Sequence, residues 1–256
     1  MRNKTIPFLI IIILVLVLIA VISIRLGNND TPSASDPDNG SAPQESTVPA
    51  TPTPTPPPEF VAAPEGYFKD ALLIGDSRTV GIQMVGGIDD ATFFCTVGLS
   101  VIGSCCTNAD VSGYGSITLP TLLQSAQFGK VYIMLGINDI GGDLPTVANR
   151  YSELIDTVRQ YQPDAIIYIM SNLHVTAGQD AKGSTVNNAN IDTFNGYIKE
   201  FADDETIFYL DSNEYFDDEN GKLNSEFSPD GIHFYGDGYK AWAEWITQHV
   251  IVKRYK

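Results

Sequence analysis

Short runs of apolar, β-branched and aromatic residues recur along the chain at 71–74, 91–97, 131–135, 165–170 and 207–210. Each run is too short for a helix and is apolar at successive positions, so both faces must be covered. That is the mark of a strand buried between two layers. Between or after these runs lie stretches of helical period, at 79–85, 119–127, 146–161, 186–201 and 238–252. Strands alternating with helices predict a parallel sheet with helices on both faces, a three-layer α/β/α sandwich of about five strands.

The pattern changes completely before residue 60. Residues 6–24 are apolar apart from Pro7 and Ser23, and Arg2 and Lys4 precede them. At about 1.5 Å per residue the run reaches roughly 28 Å, close to the hydrocarbon thickness of a bilayer. It exceeds a usual signal-peptide core, and no Ala-x-Ala follows it. The basic residues lie mainly on its N-terminal side, which predicts an N-terminus in the cytoplasm and export of the rest. Residues 25–60 read as a tether: Pro52, Pro54, Pro56, Pro57 and Pro58 favour polyproline II, and the Ser/Asp/Asn/Gly residues before them favour coil. The expected division is a short cytoplasmic N-terminus at 1–5, an uncleaved transmembrane signal anchor at 6–24, a disordered linker at 25–60 and one globular domain at 61–256. On this reading the globular domain stands outside the cell on a single-pass membrane protein.

The chain carries a formal net charge of −16. Only three basic and five acidic residues precede Phe60, so nearly all of this charge belongs to the globular part. Such a balance argues against nucleic acid or anionic lipid headgroups as partners, since phosphate binding needs clustered Lys and Arg. Cys95, Cys105 and Cys106 are too few for a zinc site. Three buried, unpaired thiols are expected, with Cys95 joined to Cys105 or Cys106 as the alternative outside the cytoplasm.

In open parallel sheets the functional residues gather at the carboxyl ends of the strands. Here those positions hold Gly75-Asp76-Ser77 after the first strand, Gly98-Leu99-Ser100 after the second and Gly136-Ile137-Asn138-Asp139 after the third. Asp230-Gly231-Ile232-His233 precedes the last helix. Together they supply what acyl transfer requires. A serine hydroxyl needs a histidine to take its proton, and the histidine needs an acceptor on its other ring nitrogen. Ser77, His233 and Asp230 fill these roles. The oxyanion needs hydrogen-bond donors, for which the backbone N–H groups of Ser77 and Gly98 and the Asn138 amide are candidates.

These four blocks, in this order and spread over essentially the whole globular domain, resemble the conserved blocks of SGNH (GDSL-like) hydrolases. The resemblance implies Ser77 as nucleophile, His233 as base, Asp230 as its orienter, and Ser77, Gly98 and Asn138 as the oxyanion hole. It also implies a flavodoxin-like sheet of strand order 2-1-3-4-5 and no metal or organic cofactor. Arg78 departs from the uncharged residue that many relatives carry. Its expected role is an ion pair with Asp76 or Asp139, the other reading being contact with an anionic substrate group. Asp76 and Asp139 are expected to brace loops. His174 follows the fourth strand and borders the site either as substrate contact or as a loop histidine without a role. His249 reads as structural. Trp242 and Trp245 share a helix face and are expected to pack on the sheet; Tyr114, Phe234 and Tyr235 are candidate pocket aromatics.

The expected activity is hydrolysis of an ester through an acyl-serine intermediate, with removal of O-acetyl groups from an envelope or exogenous glycan as the leading substrate. The alternatives are a lysophospholipase or short-chain lipid esterase, an O-acyltransferase, and a non-catalytic envelope binding module. The expected partners are an ester-bearing small molecule or glycan and the membrane through the N-terminal helix, with no nucleic acid and no obligate protein partner.

Overall fold

A computed structural model describes residues 59–252. The expected segments 1–5 and 6–24, and nearly all of the 25–60 linker, lie outside the described residues. No helix among the described residues is long and apolar enough to cross a membrane.

Among the described residues seven strands form, β1 Ala71–Gly75, β2 Thr92–Cys95, β3 Asn108–Val111, β4 Gly115–Thr118, β5 Lys130–Met134, β6 Ile166–Met170 and β7 Ile207–Leu210. Seven helices accompany them: α1 Ser77–Val85, α2 Leu119–Ser125, α3 Leu144–Tyr161, α4 Ala177–Asp180, α5 Asn188–Lys199, α6 Asn213–Phe216 and α7 Gly236–Gln248. Five of the strands make one sheet in the order β2-β1-β5-β6-β7, parallel throughout. Counted along the main sheet alone, that is 2-1-3-4-5.

The sheet sorts its side chains by alternation. Leu72 and Ile74 of β1 enter one apolar cluster with Val131, Ile133, Ile167 and Ile169, beneath Tyr151, Leu154 and Val158 of α3 and Ile191, Phe194 and Ile198 of α5. Ala71 and Leu73 enter the other, with Tyr132, Tyr168, Phe208, Leu210, and Tyr239, Trp242 and Ile246 of α7. In α3 the buried positions Val147, Ala148, Tyr151, Leu154, Ile155 and Val158 follow the helical period. Asp143 caps that helix, accepting from the Thr146 amide at 3.2 Å, and Pro145 sits in its first turn. Helices α1 and α7 approach closely because Gly81 has no side chain there: a Cβ would run into the Tyr239 ring.

Three features depart from the sequence reading. The run at 91–97 forms a strand only over Thr92–Cys95, because the Leu99 amide closes a turn onto the Thr96 carbonyl at 3.1 Å, and Gly98 takes a φ of 78°. An antiparallel hairpin, β3–β4, was not expected. Its strands are four residues each and largely polar, too brief for alternation to register. All three cysteines are free as expected, but only Cys95 is buried; Cys105 is partly covered and Cys106 is exposed, since both lie in the turns between β2 and β3.

Candidate active site

Ser77 is the first residue of α1, directly after β1, so its backbone N–H lies in the first helical turn with no intrahelical acceptor. Asp76 caps that helix. Its Oδ1 accepts from the Arg78 amide at 2.9 Å, and the residue is almost wholly buried. Burial raises the Asp76 pKa, against the opposing pull of the Arg78 charge and amide.

The loop before α7 brings the other two groups to the serine. His233 Nδ1 lies 2.7 Å from Asp230 Oδ2, and His233 Nε2 lies 3.0 Å from Ser77 Oγ. Asp230 Oδ1 accepts from the backbone amides of Ile232 and His233 at 2.9 and 2.8 Å, which folds the four-residue turn back on itself. Burial works to raise the Asp230 pKa, but the hydrogen bonds from the His233 amide and ring and from the Ile232 amide outweigh it and hold the carboxyl down at about 2. An ionised carboxylate can only accept, so Nδ1 carries the proton. Nε2 is then free to accept the Ser77 hydroxyl.

The candidate oxyanion donors stand on three neighbouring strand ends. Gly98 and Asn138 are exposed after β2 and β5. The Asn138 side-chain amide donates one hydrogen to the Leu99 carbonyl at 3.0 Å, which fixes its orientation and leaves its second hydrogen available. Asp139 serves as a brace: its Oδ2 accepts from the Val101 amide at 2.7 Å, tying the β5 end to the loop after β2. Burial raises its pKa, against the hydrogen bonds from the Val101 and Ile102 amides.

Arg78 corrects the sequence reading. It is 2% exposed, which removes it from contact with an anionic substrate group, and it forms no ion pair with Asp76 or Asp139 within 4 Å. Its Nη1 donates to the Leu173 carbonyl at 3.1 Å and its Nε to the Ile232 carbonyl at 3.2 Å. Backbone carbonyls carry no sequence signature, so residue types alone could not have shown these acceptors. His174 is likewise more than a loop histidine. Its Nδ1 and Nε2 each lie 2.7 Å from a carboxylate, those of Asp217 and Asp192. Burial pulls its pKa down, but the hydrogen bonds to Asp217 and Asp192 prevail and raise it to about 9. His249 donates from Nδ1 to the Trp245 carbonyl. Trp242 is fully buried on the sheet, whereas Trp245 is only half-buried beside α7's outer side. Phe234 packs into the apolar cluster against Phe216 and Trp242, and Tyr114 and Tyr235 are exposed.

A parallel sheet whose carboxyl ends bring a hydroxyl, an imidazole and a carboxylate into one line is the framework of an ester-hydrolysing α/β enzyme. The model of the GDSL-like Lipase/Acylhydrolase family matches residues 73–241, and the chain belongs to that family. Among solved structures it is similar to a GDSL-like lipase from Bacteroides thetaiotaomicron VPI-5482, at 15% identity and a TM-score of 0.53, covering 73% of this chain and 89% of that one. Among curated proteins it is similar to the N-acylneuraminate cytidylyltransferase of Streptococcus agalactiae serotype III (strain NEM316), 22% identical over 171 residues that make up 64% of this chain and 34% of the relative. The serotype V (strain ATCC BAA-611 / 2603 V/R) protein of the same name is 26% identical over 128 residues, 47% of this chain and 29% of that one. The chain thus spans about a third of the length of the curated relatives it matches.

Proposed function

We propose that the protein is an extracytoplasmic serine esterase that removes short acyl groups, acetyl foremost, from a glycan, with Ser77, His233 and Asp230 as its catalytic residues. The observation that carries the assignment is the unbroken line from the Ser77 hydroxyl through His233 to Asp230, at 3.0 and 2.7 Å. In the first step His233 Nε2 takes the hydroxyl proton as Ser77 Oγ bonds to the acyl carbon. The Ser77 and Gly98 N–H groups and the Asn138 amide stabilise the oxyanion that forms. As the ester C–O bond breaks, His233 returns that proton to the leaving alcohol. A water then repeats the sequence and releases the acid.

The exposure of the line supports a short acyl group on a bulky polar alcohol. The His233 and Asp230 side chains are 40% and 51% exposed, so the chemistry takes place at an open surface rather than at the end of an apolar channel. A long acyl chain would gain little by entering such a site. The curated relatives are named for N-acylneuraminate, an acylated sugar acid, which supports a sugar over a lipid. The apolar segment at 6–24 and the Pro-rich stretch after it support a membrane anchor and tether that hold the enzyme beside envelope glycans.

The test compares the full-length chain and its Ser77→Ala variant on p-nitrophenyl acetate, p-nitrophenyl octanoate and an O-acetylated oligosaccharide. Acetate release from the sugar and the short ester that disappears in the variant is the expected result. A preference for octanoate would replace the glycan reading with a lipid esterase. Equal rates for enzyme and variant would remove Ser77 as the nucleophile.

A further inference from the structure

Beside the edge of the sheet, between the end of β7, the short α6 and the outer side of α7, opens a hollow of about 690 Å³. None of Ser77, Asp230 and His233 lines it. Its volume falls in the range of small-molecule sites, about 300–1,000 Å³.

The lining combines two chemistries. Phe60, Tyr215 and Trp245 supply aromatic surface, and Asp211, Glu214 and Glu244 supply carboxylates, while no Lys or Arg lines the hollow. Phe60 and Tyr215 are 40% and 56% exposed, and large aromatics left in water at one place commonly mark a binding surface. The aromatic wall is also held in place before any ligand arrives. Trp245 stacks on the His249 ring at 3.9 Å and 19°, and His249 is fixed by its bond to the Trp245 carbonyl at 2.7 Å. Phe60 leans on His249 at 6.4 Å and meets Phe208 edge-on at 6.2 Å. The described ion pairs leave Glu214 and Glu244 without a cation, since Lys130, Arg150, Lys222 and Lys240 pair with other acids.

We propose that this hollow is a binding site, separate from the triad, for an organic ammonium group. Aromatic faces attract a cation through their quadrupole. Three carboxylates in the lining add Coulomb attraction, while the nearby Lys199 stands outside the lining, its Nζ over the Tyr209 ring at 5.6 Å. A neutral ligand of the same shape would keep only the apolar contact, and an anion would be repelled. The site goes beyond the esterase reading and does not depend on it.

The experiment titrates the full-length chain, held in a nonionic detergent, with choline and with 3,3-dimethyl-1-butanol, its neutral isostere, by calorimetry or saturation-transfer NMR at low salt. Choline should bind with a dissociation constant on the order of millimolar, and the isostere at least about tenfold more weakly. Trp245→Ala should abolish choline binding. The double variant Glu214→Gln/Glu244→Gln should weaken it about fivefold and flatten its salt dependence. Hydrolysis of p-nitrophenyl acetate should remain at the parent rate in each variant and so report an intact fold. Equal binding of choline and the isostere, choline binding that survives Trp245→Ala, or no choline binding at all would each overturn the proposal.

Discussion

Arg78 Nε donates to the carbonyl of Ile232 at 3.2 Å, so the side chain next to Ser77 grips the backbone next to His233. The same guanidinium reaches Leu173 through Nη1, while Nη2 is buried with no hydrogen-bond partner among the described residues. One planar fork therefore joins the start of α1, the loop after β6 and the loop before α7. The hydroxyl and the imidazole stand on segments 156 residues apart, and this fork ties the two segments beside their contact.

Replacing that fork with Lys leaves one ammonium that cannot span both carbonyls. Arg78→Lys is expected to lower kcat by about 10- to 100-fold with little change in KM, because a displaced base costs alignment rather than binding. Arg78→Ala should also destabilise the fold, since it takes the buried donors away from the Leu173 and Ile232 carbonyls. Steady-state kinetics beside urea denaturation separate the two effects. A wild-type kcat in Arg78→Lys would show that the fork plays no part in positioning His233.

Asp230→Asn isolates the carboxylate's charge from its fold. The Asn Oδ1 can still accept from the Ile232 and His233 amides, so the turn should survive. Its NH₂ group, however, would face His233 Nδ1 as a donor and favour the wrong tautomer. The expected loss in kcat is on the order of 10³–10⁴, with an unchanged melting profile. A loss below about tenfold would mean that the histidine is oriented by something else.

Asn138→Ala removes a proposed oxyanion donor and the bond that holds it to Leu99. The rate should fall by about 10²–10³ with KM nearly constant, the sign of an interaction made in the transition state. Asn138→Asp is the sharper variant, because it places a negative charge where negative charge develops. It should be slower than the alanine variant, and a faster one would displace Asn138 from the oxyanion site.

The layers were legible because β1, β5 and β6 are buried on both faces and so read as unbroken apolar runs, whereas the strand order came from the resemblance to SGNH hydrolases and not from the pattern. Ser77, Asp230 and His233 could be grouped because reactive side chains are visible as residue types, Ser77 just after β1 and the other two in the loop before α7, and the structure does bring them together. The partners of Arg78 were not legible, since Ile232 and Leu173 act through carbonyls that every residue has. The partners of His174 were hidden for a different reason. Asp192 lies on α5 and Asp217 just beyond α6, 18 and 43 residues away, and an acidic chain offers too many carboxylates for spacing to choose between them. Trp245 was placed with Trp242 on one helix face. Both do pack against the same apolar cluster, Trp242 fully buried within it and Trp245 half-buried at its margin.

The charge on His174 gives stability a dependence on pH that can be signed in advance. Burial lowers the pKa, yet the bonds to Asp217 and Asp192 raise it to about 9, above the ordinary 6.5. A group held above its unfolded value contributes its full stabilisation below about pH 6.5 and loses it as pH climbs through about 9. The loss has an upper bound of about 3 kcal/mol, and the true value is smaller because Asp192 is 66% exposed and screened by solvent. Urea denaturation at about pH 6 and about pH 9.5 should therefore show a larger alkaline loss in the parent protein than in His174→Gln. Equal losses in the two would mean that the folded protein does not hold His174 in its charged form, and that its bonds to Asp217 and Asp192 do not act as ion pairs.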